Sequence, residues 1–193
     1  MGNYKENLEE AVRKYQPDVE NLFGVSLGNI TCRPFETSNK NPKNKLYNFI
    51  FRNLFNDDQE KKSSKLKYAH VNSRYSGLIE YNSSPELDSL PKFSAEYTAV
   101  HEMSHLADFK VSPPGYFPVR SPSVNELIAN YAAHKILDLF ESQEALGGVY
   151  RAERTDAIFL KSRLDKFKVS FKDYIKNFNR LENIWEDFGE IKI

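Results

Sequence analysis

The chain has 193 residues, a formal net charge of zero and one cysteine, Cys32. Hydrophobic residues make up 40% of the sequence, which is enough to build the core of one compact domain. It contains no apolar run of about 18 residues, and its amino terminus is polar and charged, so we expect neither a membrane span nor a secretory signal peptide. A lone cysteine cannot form an internal disulfide, and a cytoplasmic protein is the default expectation.

The first part of the sequence combines one clear helix with strand-like segments. Apolar residues recur at helical spacing over residues 3–16, and Pro17 is expected to end that helix. Residues 24–35 combine β-branched residues with glycines, which predicts a short strand pair or one bent strand. Residues 45–55 are rich in aromatic side chains and fit a helix slightly better than a strand, whereas residues 68–82 fit an extended segment.

Helical periodicity dominates the remainder of the chain. Pro91 opens a broad apolar stripe, typical of a buried helix, which must end before Pro113. After a proline-rich loop, residues 123–140 restore the helical spacing. Two more amphipathic helices are predicted over residues 149–168 and 170–188.

Strands early in the chain and helices late in it predict an α+β fold in which helix is the majority. We expect a main domain over residues 1–148 and a C-terminal helical segment, residues 149–193, packed on the same domain. That segment is expected to complete the core.

Charge is distributed unevenly along the chain. Residues 33–75 are rich in lysine and arginine but carry no recognisable nucleic-acid-binding signature, so no nucleic-acid partner is expected. Residues 76–149 are rich in aspartate and glutamate, which suits a cation or a basic partner. Ordinary solvated helix faces would give the same pattern and are the favoured alternative.

The sequence HEMSH, residues 101–105, is the motif with the most specific chemistry. Its two histidines, His101 and His105, are four residues apart, so on a helix both rings leave the same face and could share one zinc ion at about 2.0–2.1 Å. Glu102 lies about 100° round the helix from His101, where it can take a proton from a water activated by the metal. The alternative is a buried helix whose histidines bond to carbonyl groups while Glu102 pairs with a lysine.

A catalytic zinc needs a third protein ligand and an open fourth position. The long metzincin signature would place glycine and histidine three and six residues after His105, but Asp108 and Val111 stand there. A glutamate on a second helix remains, and Glu126 follows the proline-rich loop, so its helix can pack antiparallel to the first. The alternative role for Glu126 is a capping box with Ser123 at the helix start.

An HExxH motif followed some twenty residues later by NExxxD or a close variant resembles the gluzincins, the thermolysin-like clan of zinc metallopeptidases, and the small size resembles the minigluzincins. The match covers about residues 77–134. Asn125 matches the asparagine that often precedes the glutamate ligand. The resemblance implies one zinc ion, held by His101, His105 and Glu126.

The same resemblance implies a zincin-like catalytic domain over residues 1–148, with a small mixed sheet and a peptide or protein substrate. Glu102 would be the general base. The minigluzincin resemblance also implies an alternative role for the C-terminal helices, which would cover the cleft and keep the enzyme latent. Asn130 stands where the thermolysin pattern has an aspartate that orients the first ligand histidine, and Asp108 is a second candidate for supporting a ligand or else a solvated carboxylate. In gluzincins an edge strand over the cleft binds the substrate backbone, a role that falls here on Gly77, Leu78, Ile79, Glu80, Tyr81 and Asn82. An interior strand of an ordinary sheet is the alternative.

Hydrolysis also needs a donor that stabilises the oxyanion of the tetrahedral intermediate. The candidates are Tyr131, His134, Tyr116, Arg120 and His70. His134 lies eight residues after Glu126, roughly 12 Å along a straight helix, so a core or surface role is more natural for it than a ligand role. Two other functions stay open: a zincin-like scaffold that binds a peptide or regulatory partner without cleaving it, and a helical interaction protein without metal.

Overall fold

A computed structural model shows an α+β protein in which helices predominate, as the order of the elements in the sequence predicts. The structure describes residues 3–34, 69–71, 77–81, 83, 85–111, 122–141 and 151–177. The predicted helix at 45–55 lies outside the described residues. No helix in the described ranges is both long enough and apolar enough to cross a membrane.

The first helix, α1 (Tyr4–Phe23), is longer than the sequence predicts. It begins at Asn3, whose side-chain oxygen accepts a hydrogen bond from the backbone N–H of Glu6 at 2.9 Å. The predicted stop at Pro17 is wrong, because this proline lies inside the helix. An internal proline costs about 3 kcal/mol. Here Pro17 is exposed, so the carbonyl it leaves unpaired can bind water, while full burial of Val19 and Phe23 in the following turns offsets the cost.

Three short strands form a mixed sheet: β1 (Thr31–Pro34), β2 (Ala69–Val71) and β3 (Leu78–Tyr81). The strand order is β1–β3–β2, with β1 parallel and β2 antiparallel to β3. The predicted edge position of the strand in residues 77–82 is therefore wrong, because β3 is the central strand and pairs along both sides.

The reason for this error lies in what alternation can show. Ile79 and Tyr81 are buried, whereas Leu78 and Glu80 are partly exposed, so β3 has one buried face, as the sequence pattern indicates. An edge strand and a central strand of an antiparallel or mixed sheet can both have one buried face. The position within the sheet depends on hydrogen-bonding partners that come from distant parts of the chain.

Gly77 allows β1 and β3 to come together, and we expect Gly77→Ala to lower the free energy of unfolding by about 2 kcal/mol or more. Its φ is +86°, and an added Cβ would lie 2.5 Å from the carbonyl oxygen of Asn29. The carbonyl of Gly77 also accepts the backbone N–H of Thr31 at 2.8 Å. Urea denaturation of the wild type and of Gly77→Ala measures the difference in the free energy of unfolding.

Gly28→Ala is the matched control for this prediction. Gly28 has a similar φ of +74°, but an added Cβ there would meet no atom within 4 Å. Gly28→Ala should therefore lower the free energy of unfolding only by the strain of the left-handed conformation, about 1 kcal/mol. Equal losses at the two positions would show that the close contact with Asn29 is unimportant.

The remaining helices follow after a 3-10 helix at Pro85–Ser89. They are α2 (Lys92–Val111), α3 (Pro122–Ile136), α4 (Arg151–Phe167) and α5 (Phe171–Lys176). The start of α2 after Pro91 and its end before Pro113 are confirmed. Helix α3 ends four residues earlier than predicted, where Asp138 adopts a left-handed conformation. Of the predicted helix at 170–188, the part beyond residue 177 lies outside the described residues.

Helix α2 is the central element of the fold. It packs against α1, α3 and β2, while α4 packs on α3 and α5 contacts α1 and α2. Most of its side chains from Ser94 to Asp108 are buried, which explains why its sequence shows a broad apolar stripe instead of a narrow one. The histidine motif therefore lies on a helix that is buried along most of its length.

Candidate metal centre

The two histidines of the motif lie on one face of α2 and point at each other. The Nε2 atoms of His101 and His105 are 3.1 Å apart, and the two rings meet nearly at right angles. Their side chains are 14% and 11% exposed. Because α2 is enclosed by neighbouring elements, both rings are held where the four-residue spacing places them.

Glu126, in the first turns of α3, contacts both rings. Its Oε2 atom lies 3.2 Å from Nε2 of His101, and its Oε1 atom lies 3.5 Å from Nε2 of His105. Potential donor atoms of the three residues all lie within 4.8 Å of one another. The structure thus brings together the three residues that the sequence suggests as ligands. The side chain of Ser123, the partner in the alternative capping box, is outside the described set.

The spacing of these atoms suits a tetrahedral zinc ion. Ligands at about 2.0–2.1 Å from the metal in tetrahedral geometry are separated by about 3.3 Å. The Nε2 atoms of the two histidines are 3.1 Å apart, and each lies 3.2 or 3.5 Å from a different oxygen of Glu126. The Glu126 side chain is 55% exposed, so the cluster is open to solvent on the side of α3. Two imidazoles and one carboxylate are a donor set found in catalytic zinc sites, which also keep a fourth position open to solvent.

The electrostatics of the cluster favour a cation. Burial disfavours the charged form of His101, but the hydrogen bond to Glu126 and nearby carboxylates outweigh it and raise the pKa of His101. Those carboxylates include Glu102 and Glu153. Burial also raises the pKa of Glu126, but its bonds to the two histidines hold that pKa well below its usual range. A dication could therefore replace the proton on His101 beside a carboxylate that is already charged.

Glu102, the expected general base, is 7% exposed. Its negative charge helps to raise the pKa of His101, so the carboxylate lies near the cluster. It is not one of the three groups whose donor atoms converge. Asp108 is 1% exposed, so its interpretation as a solvated carboxylate is wrong.

Asn130 lies next to the centre but bonds to other groups. Its Oδ1 accepts a hydrogen bond from the Tyr97 hydroxyl at 3.3 Å, and its Nδ2 donates to Oδ2 of Asp156 at 3.3 Å. Nδ1 of His101 is buried and has no hydrogen-bond partner among the described residues. The direct bond to the first ligand histidine that the thermolysin pattern suggests for position 130 is therefore not formed.

Two of the oxyanion-donor candidates belong to the core. Tyr131 stacks on Phe171 with ring centroids 4.8 Å apart, and burial raises the pKa of its phenol. His134 is fully buried, and its Nδ1–H donates to the backbone oxygen of Asn130 at 2.9 Å. Burial lowers the pKa of His134, which keeps the ring neutral. These contacts favour the core role that helix geometry predicts for His134.

The side chains of the remaining donor candidates lie outside the described set. Tyr116 and Arg120 lie outside the described residues, as does Asn82 of the proposed substrate strand. The backbone of His70 lies in β2 opposite Glu80, but its side chain is outside the described set.

Three residues near the centre were missed by sequence reasoning: Tyr97, Glu153 and Asp156. The Tyr97 ring stacks on that of His101 with centroids 6.2 Å apart and planes at 23°. Its position four residues before His101 on the same helix was an available signal. Glu153 and Asp156 come from α4, and nothing in the sequence links them to a motif some fifty residues earlier.

Comparisons of the chain with protein-family models, with curated proteins and with solved structures find no match. The gluzincin resemblance therefore rests on the motif residues, and the side-chain arrangement described above supports a candidate metal cluster.

Proposed function

We propose that this protein is a zinc-dependent metallopeptidase of the gluzincin type, with a zincin-like domain, acting in the cytoplasm. His101, His105 and Glu126 bind one zinc ion, and Glu102 is the general base. The observation that carries the proposal is the convergence of two imidazole nitrogens and a carboxylate at separations of 3.1, 3.2 and 3.5 Å. An open side at Glu126 gives a peptide access to the centre.

The reaction is hydrolysis of a peptide bond. Bound zinc supplies a Lewis acid that acidifies a water molecule and polarises the scissile carbonyl. Glu102 takes one proton from the attacking water, whose oxygen bonds to the carbonyl carbon. As the C–N bond breaks, the same carboxyl group passes that proton to the leaving amine, and Glu102 returns to its charged form.

The manner of substrate binding differs from the expectation for gluzincins. Because β3 pairs with β1 and β2 on its two sides, its backbone cannot add a substrate strand. The peptide must therefore be held by groups other than the backbone of residues 78–81.

A second function, a zincin-like scaffold that binds a peptide or regulatory partner without cleaving it, is favoured by one observation. Tyr131 and His134, the two donor candidates whose side chains are described, are committed to core contacts. Without a donor for the oxyanion, hydrolysis loses about 10²–10³ in rate.

Metal content and peptide cleavage together test the proposal. Protein purified without chelators should contain about one zinc per chain by elemental analysis, and excess zinc should raise its melting temperature. It should cleave an unfolded protein substrate, with cleavage blocked by a chelator and restored by zinc. Bound zinc without cleavage would support the scaffold, and absence of zinc binding would overturn both.

The stabilisation by zinc is expected to grow as the pH rises from 6 to 8. Zinc binds neutral imidazole, and Glu126 and its neighbours raise the pKa of His101 above its ordinary value of 6.5. In the metal-free protein, stability changes with pH in the opposite direction. The raised pKa of His101 stabilises the folded protein fully below pH 6.5, and this stabilisation is lost as the pH rises through the folded-state pKa. The increase in melting temperature on adding zinc, measured against a chelated sample at each pH, checks this. A constant increase across the range would contradict it.

A further inference from the structure

A chain of polar contacts links three helices and ends at the ring of His101. It starts at Asp156 on α4, whose Oδ2 accepts a hydrogen bond from Nδ2 of Asn130 on α3 at 3.3 Å. The Oδ1 of Asn130 accepts the Tyr97 hydroxyl on α2 at 3.3 Å, and the Tyr97 ring stacks on His101. Each contact crosses from one helix to the next, except the last, which lies within α2.

The direction of this chain depends on the carboxylate of Asp156. An asparagine side chain has one donor group and one acceptor group, and only the donor can bond to a carboxylate. Asp156 therefore fixes which way the Asn130 amide faces, with its oxygen toward Tyr97. Tyr97 and Asn130 are only 4% and 2% exposed, so an amide facing the other way would not easily find water as a substitute partner.

The Tyr97 ring is also confined from another side. His134 meets it edge-on with centroids 5.6 Å apart, and the Nδ1–H of His134 is itself bound to the backbone oxygen of Asn130. With its ring packed against His134 and its hydroxyl bound to Asn130, Tyr97 has little freedom to move away from His101.

Among the described residues, His101 lacks the partner that usually orients a metal-bound histidine, so the stacked Tyr97 ring is the support that remains for it. A metal-bound histidine is normally oriented by a hydrogen bond at its other ring nitrogen. Nδ1 of His101 is buried without such a partner in the described part of the chain. The stacked Tyr97 ring and the neighbouring His105 ring are the ring contacts described for it.

We infer that Asp156 is a positioning residue for His101, acting through Asn130 and Tyr97, so that α4 supplies the carboxylate that position 130 lacks. This inference rests on the proposed zinc site. Asp156 does not touch the metal or the substrate. It holds the imidazole of His101 at the angle from which Nε2 faces the same point as His105 and Glu126.

The first test measures the zinc dissociation constant of the full chain by competition with a chromophoric chelator. Asp156→Ala should weaken zinc binding about tenfold, the lower end of what loss of an outer partner costs. Asp165→Ala is the matched control, because this aspartate is also on α4 but is 67% exposed and paired with Lys161. The control should change the dissociation constant less than about twofold, since exposed pairs contribute little.

A reciprocal exchange separates positioning from simple packing. Asn130→Asp alone would set two carboxylates about 3.3 Å apart in a partly buried site and should weaken zinc binding. Adding Asp156→Asn restores one carboxylate and one amide, with the carboxylate now accepting the Tyr97 hydroxyl. Zinc affinity should return to within about threefold of the wild type, because the pair is coupled and not additive.

The outcomes distinguish this inference from the proposed function. A wild-type chain that binds no zinc overturns the proposed function before any variant is compared. Suppose that the wild type binds zinc. The inference alone is then overturned if Asp156→Ala binds zinc equally well, or if the reciprocal exchange fails to restore the affinity. If Asp156→Ala does not fold, Tyr97→Phe takes its place, because it deletes only the hydroxyl at the end of the chain of contacts. Unchanged zinc affinity in Tyr97→Phe would also overturn the inference.

Discussion

Glu102→Gln is expected to reduce peptide hydrolysis by about 10²–10⁴-fold while the protein keeps its zinc. Glutamine has nearly the same shape as glutamate, but its amide cannot take a proton from the attacking water. Glu102 is not one of the three groups that converge at the centre, so the metal should stay in place. The rate of cleavage of an unfolded substrate and the zinc content of the same preparation are measured together.

Glu96→Gln is the matched control, since it changes a glutamate of the same helix that pairs with Lys14 at 3.3 Å on the protein surface. Its activity and its zinc content should both equal those of the wild type. If Glu102→Gln cleaved peptides at the wild-type rate, Glu102 could not be the base, and the mechanism would have to be abandoned. Loss of zinc from Glu102→Gln would instead give Glu102 a structural role at the centre.

Glu126→Gln is expected to weaken zinc binding by about 100-fold or more. Structural zinc sites with four ligands bind with about 10–16 kcal/mol, so one ligand accounts for about 2.5–4 kcal/mol. A neutral amide is a poor ligand for zinc and cannot neutralise its charge. The dissociation constant, measured by chelator competition, checks this expectation.

This substitution also decides between the two roles suggested for Glu126. A capping box accepts glutamine as readily as glutamate, so a residue that only caps α3 would tolerate the change with little loss of stability and none of zinc affinity. Glu141→Gln is the control, because that residue is exposed and lies beyond the end of α3. Unchanged zinc affinity in Glu126→Gln would remove Glu126 from the ligand set and favour the cap.

Several features of the protein are determined by local sequence. The four-residue spacing of His101 and His105 brings their rings together on any straight helix, and their Nε2 atoms are indeed 3.1 Å apart. The limits of α2 follow from Pro91 and Pro113, since proline opens a helix readily but cannot continue one. The α+β class with helix in the majority follows from the order of the periodic segments. All of these depend on interactions over one or two helical turns.

Other features depend on contacts between distant segments, and sequence reasoning either missed them or predicted them wrongly. Pro17 lies inside α1 because the following turn buries Val19 and Phe23, a gain that becomes visible only once the core is assembled. β3 is central and not at an edge because β1 and β2 both pair with it. A strand with alternating buried and exposed residues has the same sequence pattern at the edge of a sheet and at its centre, so the pattern could not distinguish the two.

The candidate metal centre depends partly on local sequence and partly on contacts between distant segments. The sequence supplied Glu126 as one candidate ligand, but its contact with both histidines depends on how α3 packs against α2. The links from Asp156 through Asn130 to Tyr97 depend on α4 packing on α3, and no local pattern encodes them. The sequence alone determined which residue types could hold a metal, because helical spacing is a local property. Only the tertiary structure decided what surrounds them, because long-range packing sets the neighbours of a buried ring.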